Sequence, residues 1–203
     1  MRIRAFAIVC FVALFVAGLV SPVAAESGDK QLRFGLLYSS PMDDFSEAGF
    51  TTELDSALGF LVGFEFHVTD MIGIEPTLSS TSFDLTASEA GFPDENGDTD
   101  LMALVVNVNF HFPRDSGLDL FVGPAIGYAS WGDISLDDFP NDVPVDSEFL
   151  FGVNGGMDYP LGESDWSFNA GLSYLFLDLT PEDSSESIGV SPLQLRVGVT
   201  YNF

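Results

Sequence analysis

The stretch Leu193-Gln194-Leu195-Arg196-Val197-Gly198-Val199-Thr200-Tyr201-Asn202-Phe203 alternates without a break: every odd position is apolar or aromatic, and every even position is polar or Gly. A period of two residues belongs to a β-strand with one oily and one wet face, because successive side chains leave a pleated backbone on opposite sides. The same alternation recurs in Trp166–Tyr174, Leu58–Val68 and Met102–Phe112. Weaker versions run over Gln31–Ser39, Ile72–Phe83, Leu118–Trp131 and Glu148–Tyr159. The pattern predicts eight strands and, beyond the N-terminal segment, no helix.

The connections alternate in length. Thr69-Asp70-Met71, Pro113–Gly117 and Pro160–Asp165 are short, whereas Ser40–Ala57, Asp84–Asp100, Gly132–Ser147 and Thr180–Ser191 are long. In an up-and-down arrangement this puts the long loops at one end and the short turns, with both strand termini, at the other. Strands of about ten residues, an even strand count and this asymmetry describe an antiparallel transmembrane β-barrel with short periplasmic turns.

A soluble barrel with an apolar cavity, or a β-sandwich, would turn the oily face inward, and period alone does not separate these cases. Residue size does. The wet faces are built from Gly, Ser, Thr, Asn and Gln with a few ionisable groups, small enough for a narrow lumen. The oily faces carry bulky aromatics, with Tyr159, Trp166, Tyr201 and Phe203 at one rim and Tyr38, Tyr128 and Tyr174 toward the other. Two such girdles mark the two membrane interfaces.

Composition sets outer limits. The 203 residues carry a formal charge of −25, yet 46% are hydrophobic and 20 are Phe. Disorder requires low hydrophobicity together with high charge, so it is excluded. Nucleic-acid binding requires a basic face, which is missing. The single Cys, Cys10, rules out a disulfide scaffold and a thiolate zinc site.

Arg2 and Arg4 precede an unbroken apolar run from Ala5 to Val20, followed by Ser21-Pro22-Val23-Ala24-Ala25. This is the pattern of a secretory signal peptide over residues 1–25, cleaved after Ala25, with 26–203 as the barrel domain. The run is shorter than the roughly 20 residues of a spanning helix. The basic residues that remain are Lys30, Arg33, Arg114 and Arg196, and none falls in the four long connections, where most of the 31 acids lie. The expected acidic extracellular rim lacks basic clusters for gripping anionic lipid, and implies bridging by Mg²⁺ or Ca²⁺ or a saline habitat.

Reading the wet faces as inward places Arg33, Glu65, His67, Glu75, Asn107, Asn109, His111, Asp119, Asn154, Asp158, Asn169, Gln194 and Arg196 in the lumen. A confined charge without a partner costs several kcal/mol, on the order of the desolvation penalty of an ion. Arg33 and Arg196, on the first and last strands, are therefore expected to pair with Glu65, Glu75 and Asp158 in an ion-pair network. Toward the long loops the inward positions turn oily at Phe83, Trp131, Leu175, Leu177 and Leu179, an apolar vestibule suited to a small hydrophobic ligand or to packing of the loop bases.

Acyl-transfer chemistry needs a nucleophile activated by a base. His67 and His111 both sit on the inward face at the short-turn end with no Ser two residues away, and are read as lumen hydrogen-bonding groups. No catalytic residue, cofactor or dedicated metal site is assigned. Asp94–Asp100 is acidic, but its Gly is misplaced for an EF-hand and no Glu closes the ligand set. Loose divalent-cation binding by the loops is the expectation there.

Several stretches resemble the OmpW family of small outer-membrane barrels: Arg33-Phe34-Gly35-Leu36 leading to Pro41, Ile72-Gly73-Ile74-Glu75 leading to Ser82-Phe83, and Asn109-Phe110-His111-Phe112. Phe121–Tyr128, Gly156-Met157-Asp158-Tyr159 with Asp165–Ala170, and the terminal Val197–Phe203 continue the match in order. The wider class of outer-membrane barrels, opacity-type and OmpX-like proteins included, is the next nearest. The resemblance implies an eight-stranded barrel in the bacterial outer membrane with a narrow channel or binding tunnel for small hydrophobic molecules. It further implies that the last strand, with Tyr201 and Phe203, is read by the barrel-assembly machinery. A monomer in outer-membrane lipid is expected, and a structural or surface-interaction barrel with a plugged lumen is the competing function.

Overall fold

Backbone pairing closes the alternating segments into a ring. The computed structural model describes residues 30–42, 45–47, 50–89, 94–113, 117–136, 143–180 and 188–203. The expected signal segment, Arg114 and much of the acidic connections lie outside these residues. The barrel strands are β1 (Lys30–Ser40), β2 (Ala57–Thr69), β3 (Ile72–Glu89), β4 (Glu95–Pro113), β5 (Asp119–Trp131), β6 (Glu148–Pro160), β7 (Trp166–Phe176) and β8 (Leu193–Asn202). Each pairs antiparallel with the next in the chain, and β8 returns to β1 from Gln31↔Asn202 to Ser40↔Leu193. Closure is thus completed within one chain. The backbone of Phe203 seals it, exchanging N–H···O bonds of 3.1 and 2.9 Å with Lys30.

The two faces of the wall are inverted relative to a protein stable in water. Phe149 is 83% exposed, Leu58 75% and Leu36 72%, while the side chains of Arg33, Glu65 and Glu75 are completely buried. Water would oppose both choices. A hydrocarbon surround with a closed lumen favours both, and closure also leaves no sheet edge unpaired in lipid.

Aromatic rings gather where the interfaces lie. Trp166 and Tyr201 face each other across β7 and β8 with ring centroids 5.0 Å apart, and Tyr201 stacks with Phe203 at 5.9 Å. Nearer the long connections, Tyr128 meets Phe149 at 5.4 Å and Tyr174 meets Phe176 at 4.9 Å. In the short connections, Gly117 and Gly162 take φ of 80° and 69°, the left-handed region in which a Cβ is strained. Outward-facing Pro76 and Pro124 each interrupt one ladder where their missing N–H would have donated.

The structure departs from the expected connections in one respect. The Asp84–Asp100 segment, expected as a loop, is largely a continuation of the β3–β4 hairpin, paired from Ser82↔Asp100 to Ala87↔Glu95. The inward alternation runs on through Phe83 and Leu85, which are both buried. Asp84 and Asp98 sit directly opposite each other in this extension, a repulsive pair tolerated where both side chains reach water. The Ser40–Ala57 connection likewise contains short strands, Phe45–Glu47 and Phe50–Leu54, the second pairing with the end of β3.

A charge on the lipid face should reveal the membrane by its depth dependence. Ile126 pairs with Val106 and Phe151 midway along the outer wall, whereas Val68 lies at the short-turn rim. Ile126→Arg is expected to cost about 2–4 kcal/mol, and Val68→Arg no more than about 1 kcal/mol. Denaturant unfolding of the protein in lipid bilayers measures both.

Candidate functional site

The lumen divides along its axis into a charged belt at the short-turn end and an apolar section at the loop end. Arg33 organises the belt. Its Nη1 lies 2.5 Å from Glu65 Oε2 and 2.9 Å from Glu75 Oε2. Its Nη2 donates to Asp158 Oδ2 and to Gln31 Oε1, each at 2.7 Å. The carboxylates are held in turn. Asn109 Nδ2 bridges Glu65 and Glu75 at 2.8 and 2.9 Å, while Asp158 Oδ1 accepts from Asn169 at 2.8 Å and Thr200 at 2.7 Å.

His111 extends the belt sideways, with Nε2 2.9 Å from Glu65 and Nδ1 2.7 Å from Asp119. Arg196 joins more loosely, its Nη1 3.5 Å from Glu75 Oε1. All eight strands contribute a side chain. Arg33, Glu65, Glu75 and Asp158 therefore meet in one cluster, with Arg196 at its edge.

Phe121 carries two like charges at close range, and the sequence reading left it out of the lumen. Its ring centroid lies 4.9 Å from Arg33 Cζ and 5.7 Å from Arg196 Cζ, within the range at which an aromatic face attracts a cation. Phe121 shares the parity of Asp119, which was the available signal, but an aromatic on a wet face is easily read as an exception. Gln31 and Thr200 were missed in the same way.

Glycine makes the room for this cluster. A Cβ on Gly73 would stand 2.0 Å from Glu65 Oε1, and one on Gly171 3.0 Å from Arg196 Nη2. The large charged group and its facing Gly are therefore one feature read from two strands.

The loop-end section is mainly apolar, with the small hydroxyl side chains of Ser39, Thr81 and Thr99 also buried there. Phe83, Trp131, Leu175, Leu177 and Leu179 are buried together with Leu101, Ala103, Val105, Ala125, Ala129 and Leu150. Phe83 and Trp131 have ring centroids 6.1 Å apart, and Trp131 Nε1 donates to the Asp178 carbonyl at 3.0 Å, which satisfies its one polar group. Leu54, Val145 and Val190 come from the connections rather than the barrel strands and close the section over. Sequence alternation could not reveal these three, because they obey no period. Tyr201 and Phe203 lie in the rim cluster already described, on the strand that closes the ring.

Comparison with known proteins places the molecule. Residues 11–203 match the model of the outer membrane protein β-barrel domain. No curated protein matches by sequence. Among solved structures, the chain is similar to the outer membrane protein OprG from Pseudomonas aeruginosa, with a TM-score of 0.75 at 18% identity, covering 87% of this chain and 96% of that one. It is also similar to Neisserial surface protein A, with a TM-score of 0.63 at 13% identity, covering 87% and 99%. A third is AlkL, determined in lipid bilayers, with a TM-score of 0.56 at 16% identity, covering 91% and 94%. At these identities the likeness is one of fold.

Removing either guanidinium should show how the belt is organised. Arg33→Gln leaves three carboxylates without their shared cation and is expected to lose about 3–5 kcal/mol of stability. Arg196→Gln, with one ion pair at 3.5 Å, should lose distinctly less. Equilibrium unfolding in detergent micelles, followed by the mobility shift of the folded band, ranks the two.

Proposed function

The chain belongs to the outer membrane protein β-barrel family and resides in the bacterial outer membrane, and from that premise we propose that it is a binding tunnel for small hydrophobic solutes. The observation that carries this reading is the apolar section of the lumen. A barrel that needed only a stable interior could fill it with the Gly, Ser, Thr and Asn side chains found lower down. Here the loop half is lined instead by Phe83, Trp131, Leu175, Leu177 and Leu179, and capped by apolar residues from three connections. A small apolar molecule entering there exchanges water for hydrocarbon contact, worth about 25 cal/mol per Å² buried. The resemblance to the OmpW family points the same way.

The competing reading is a structural barrel whose lumen is plugged. The burial of Arg33 among three carboxylates from three different strands favours it, since an ion-paired cluster of that kind is expected to obstruct the axis. In both readings the protein is a monomer in outer-membrane lipid and is not an enzyme. Both nitrogens of His111 face carboxylates rather than a hydroxyl that it could activate.

Trp131 offers a direct reporter, because it lies in the apolar section while Trp166 faces outward. Bromobenzene, a heavy-atom quencher, should quench the fluorescence of the reconstituted protein with a saturable component on top of the linear loss from the lipid-facing ring. That component should disappear in Trp131→Phe and fall at least tenfold in affinity in Leu177→Asn. Planar-bilayer recordings should show no steady ionic conductance, the outcome expected of a belt held together by ion pairs. Purely linear quenching would remove the tunnel reading and leave the plugged barrel.

A further inference from the structure

The charged belt is not neutralised by its own guanidinium groups. Arg33 and Arg196 face the carboxylates of Glu65, Glu75 and Asp158, and Asp119 lies against His111, so among the described residues four carboxylates meet two guanidinium groups and two negative charges remain. His111 answers part of this. Both its ring nitrogens lie against carboxylate oxygens, Asp119 on one side and Glu65 on the other. A neutral imidazole has a single N–H, so one of those contacts requires a second proton or a cation. Beside it, the ring of His67 lies 4.4 Å from that of His111, and its buried Nε2 has no hydrogen-bond partner among the described residues. Two protonated imidazoles at that spacing repel each other, so a proton on each is a poor way to balance the belt.

We propose that Glu65, His67 and His111 bind a divalent transition-metal ion of the zinc class. Each offers one ligand atom, and the three atoms lie within 4.8 Å of one another. Two imidazoles and a carboxylate form a donor set that suits zinc, and the hard cations Mg²⁺ and Ca²⁺ prefer all-oxygen ligands. Asp119 supplies the outer partner common to such sites: by holding Nδ1 of His111 it directs Nε2 toward the metal.

The local backbone contributes as well. The β2–β3 register shifts between His67 and Thr69, an irregularity of the kind that re-aims a side chain. His67 is only partly buried, and a rotation of its side chain would have to close the remaining distance. Metal–ligand bonds of about 2.0–2.2 Å require ligand atoms roughly 3–3.5 Å apart.

Binding exchanges cation for proton. The proton between His111 Nε2 and Glu65 Oε1 leaves to solvent as the metal takes its place, and the belt goes from one residual negative charge to none. The site lies at the short-turn mouth, the periplasmic end in this class of barrel. It is separate from the apolar section and does not depend on the tunnel reading.

Calorimetric titration of the tag-free folded protein with ZnCl₂, in excess Mg²⁺ to occupy loop carboxylates, tests the proposal. One Zn²⁺ per barrel is expected, with release of about one proton read from the difference between two buffers of unlike ionisation enthalpy. His67→Ala removes a ring that has no hydrogen-bond partner at Nε2, so the variant should keep the heat-sensitive folded band while losing at least tenfold in Zn²⁺ affinity. Asp119→Asn should weaken binding about 10–100-fold. Zn²⁺ affinity unchanged in both variants, or complete competition by Mg²⁺, would place the ion on the loops and overturn the site.

Discussion

A guanidinium enclosed in a lumen lined by eight strands must be matched by anions at fixed positions, and much of this molecule follows from satisfying Arg33. Its partner Glu65 comes from the neighbouring strand β2, but Glu75 and Asp158 come from β3 and β6, neither of which pairs with β1, so two of the three ion pairs reach beyond the hydrogen-bonded ladder. Because side chains alternate with a period of two, a one-residue slip in any of these strands would send a charge to the lipid face and an aromatic into the lumen. The belt therefore enforces register as well as filling space. Buried ion pairs are weak sources of net stability, but a wrong pairing here carries a heavy penalty. Specificity of strand order is the more natural return on such an arrangement.

Volume sets the second limit. Arginines, carboxylates and a phenyl ring fit in one cross-section only because strands beside them present hydrogen atoms in place of side chains. Gly73 yields to Glu65 and Gly171 to Arg196, while a Cβ on Gly156 would come within 2.6 Å of the Phe121 ring. The abundance of Gly on the wet faces, which looked like generic smallness, is thus partly a negative image of the charged groups. Phe121 shows the converse, a large apolar ring placed inward where its face can attract two cations.

The wall of the barrel was legible in the sequence because the bilayer imposes a strict rule on each residue independently: bulky and apolar outward, small or paired inward. Leu193–Phe203 displays that rule almost perfectly. The mouth was less legible for two reasons. Acidic residues such as Asp84 and Asp98 conceal strand where the wall rises out of the membrane, since beyond the hydrocarbon nothing penalises a charge on the outer face. The cap residues Leu54, Val145 and Val190 are brought in by tertiary packing and carry no periodic signature. The ionic cluster was readable as a set of inward charges, but its partner choices depend on barrel stagger. That is why Arg33 rather than Arg196 became the hub.

The polarity split along the axis constrains any transport the barrel performs. An apolar molecule in the loop-end section meets a charged floor. To pass it, Arg33 would have to part from three carboxylates while the solute, offering no hydrogen bonds, took its place. Each uncompensated buried charge costs several kcal/mol, on the order of the whole stability of a small domain. Hydrophobic contact with one small solute is far too weak to offset several such losses together. In the tunnel reading, therefore, the belt is a floor and not a gate, and a solute held against Phe83 and Trp131 has to leave by the loop end or between strands above the belt. The outer wall is apolar at that height, with Ile126, Phe149 and Phe151 all facing outward. A route into the bilayer would thus keep an apolar solute in apolar surroundings, which no path along the axis does.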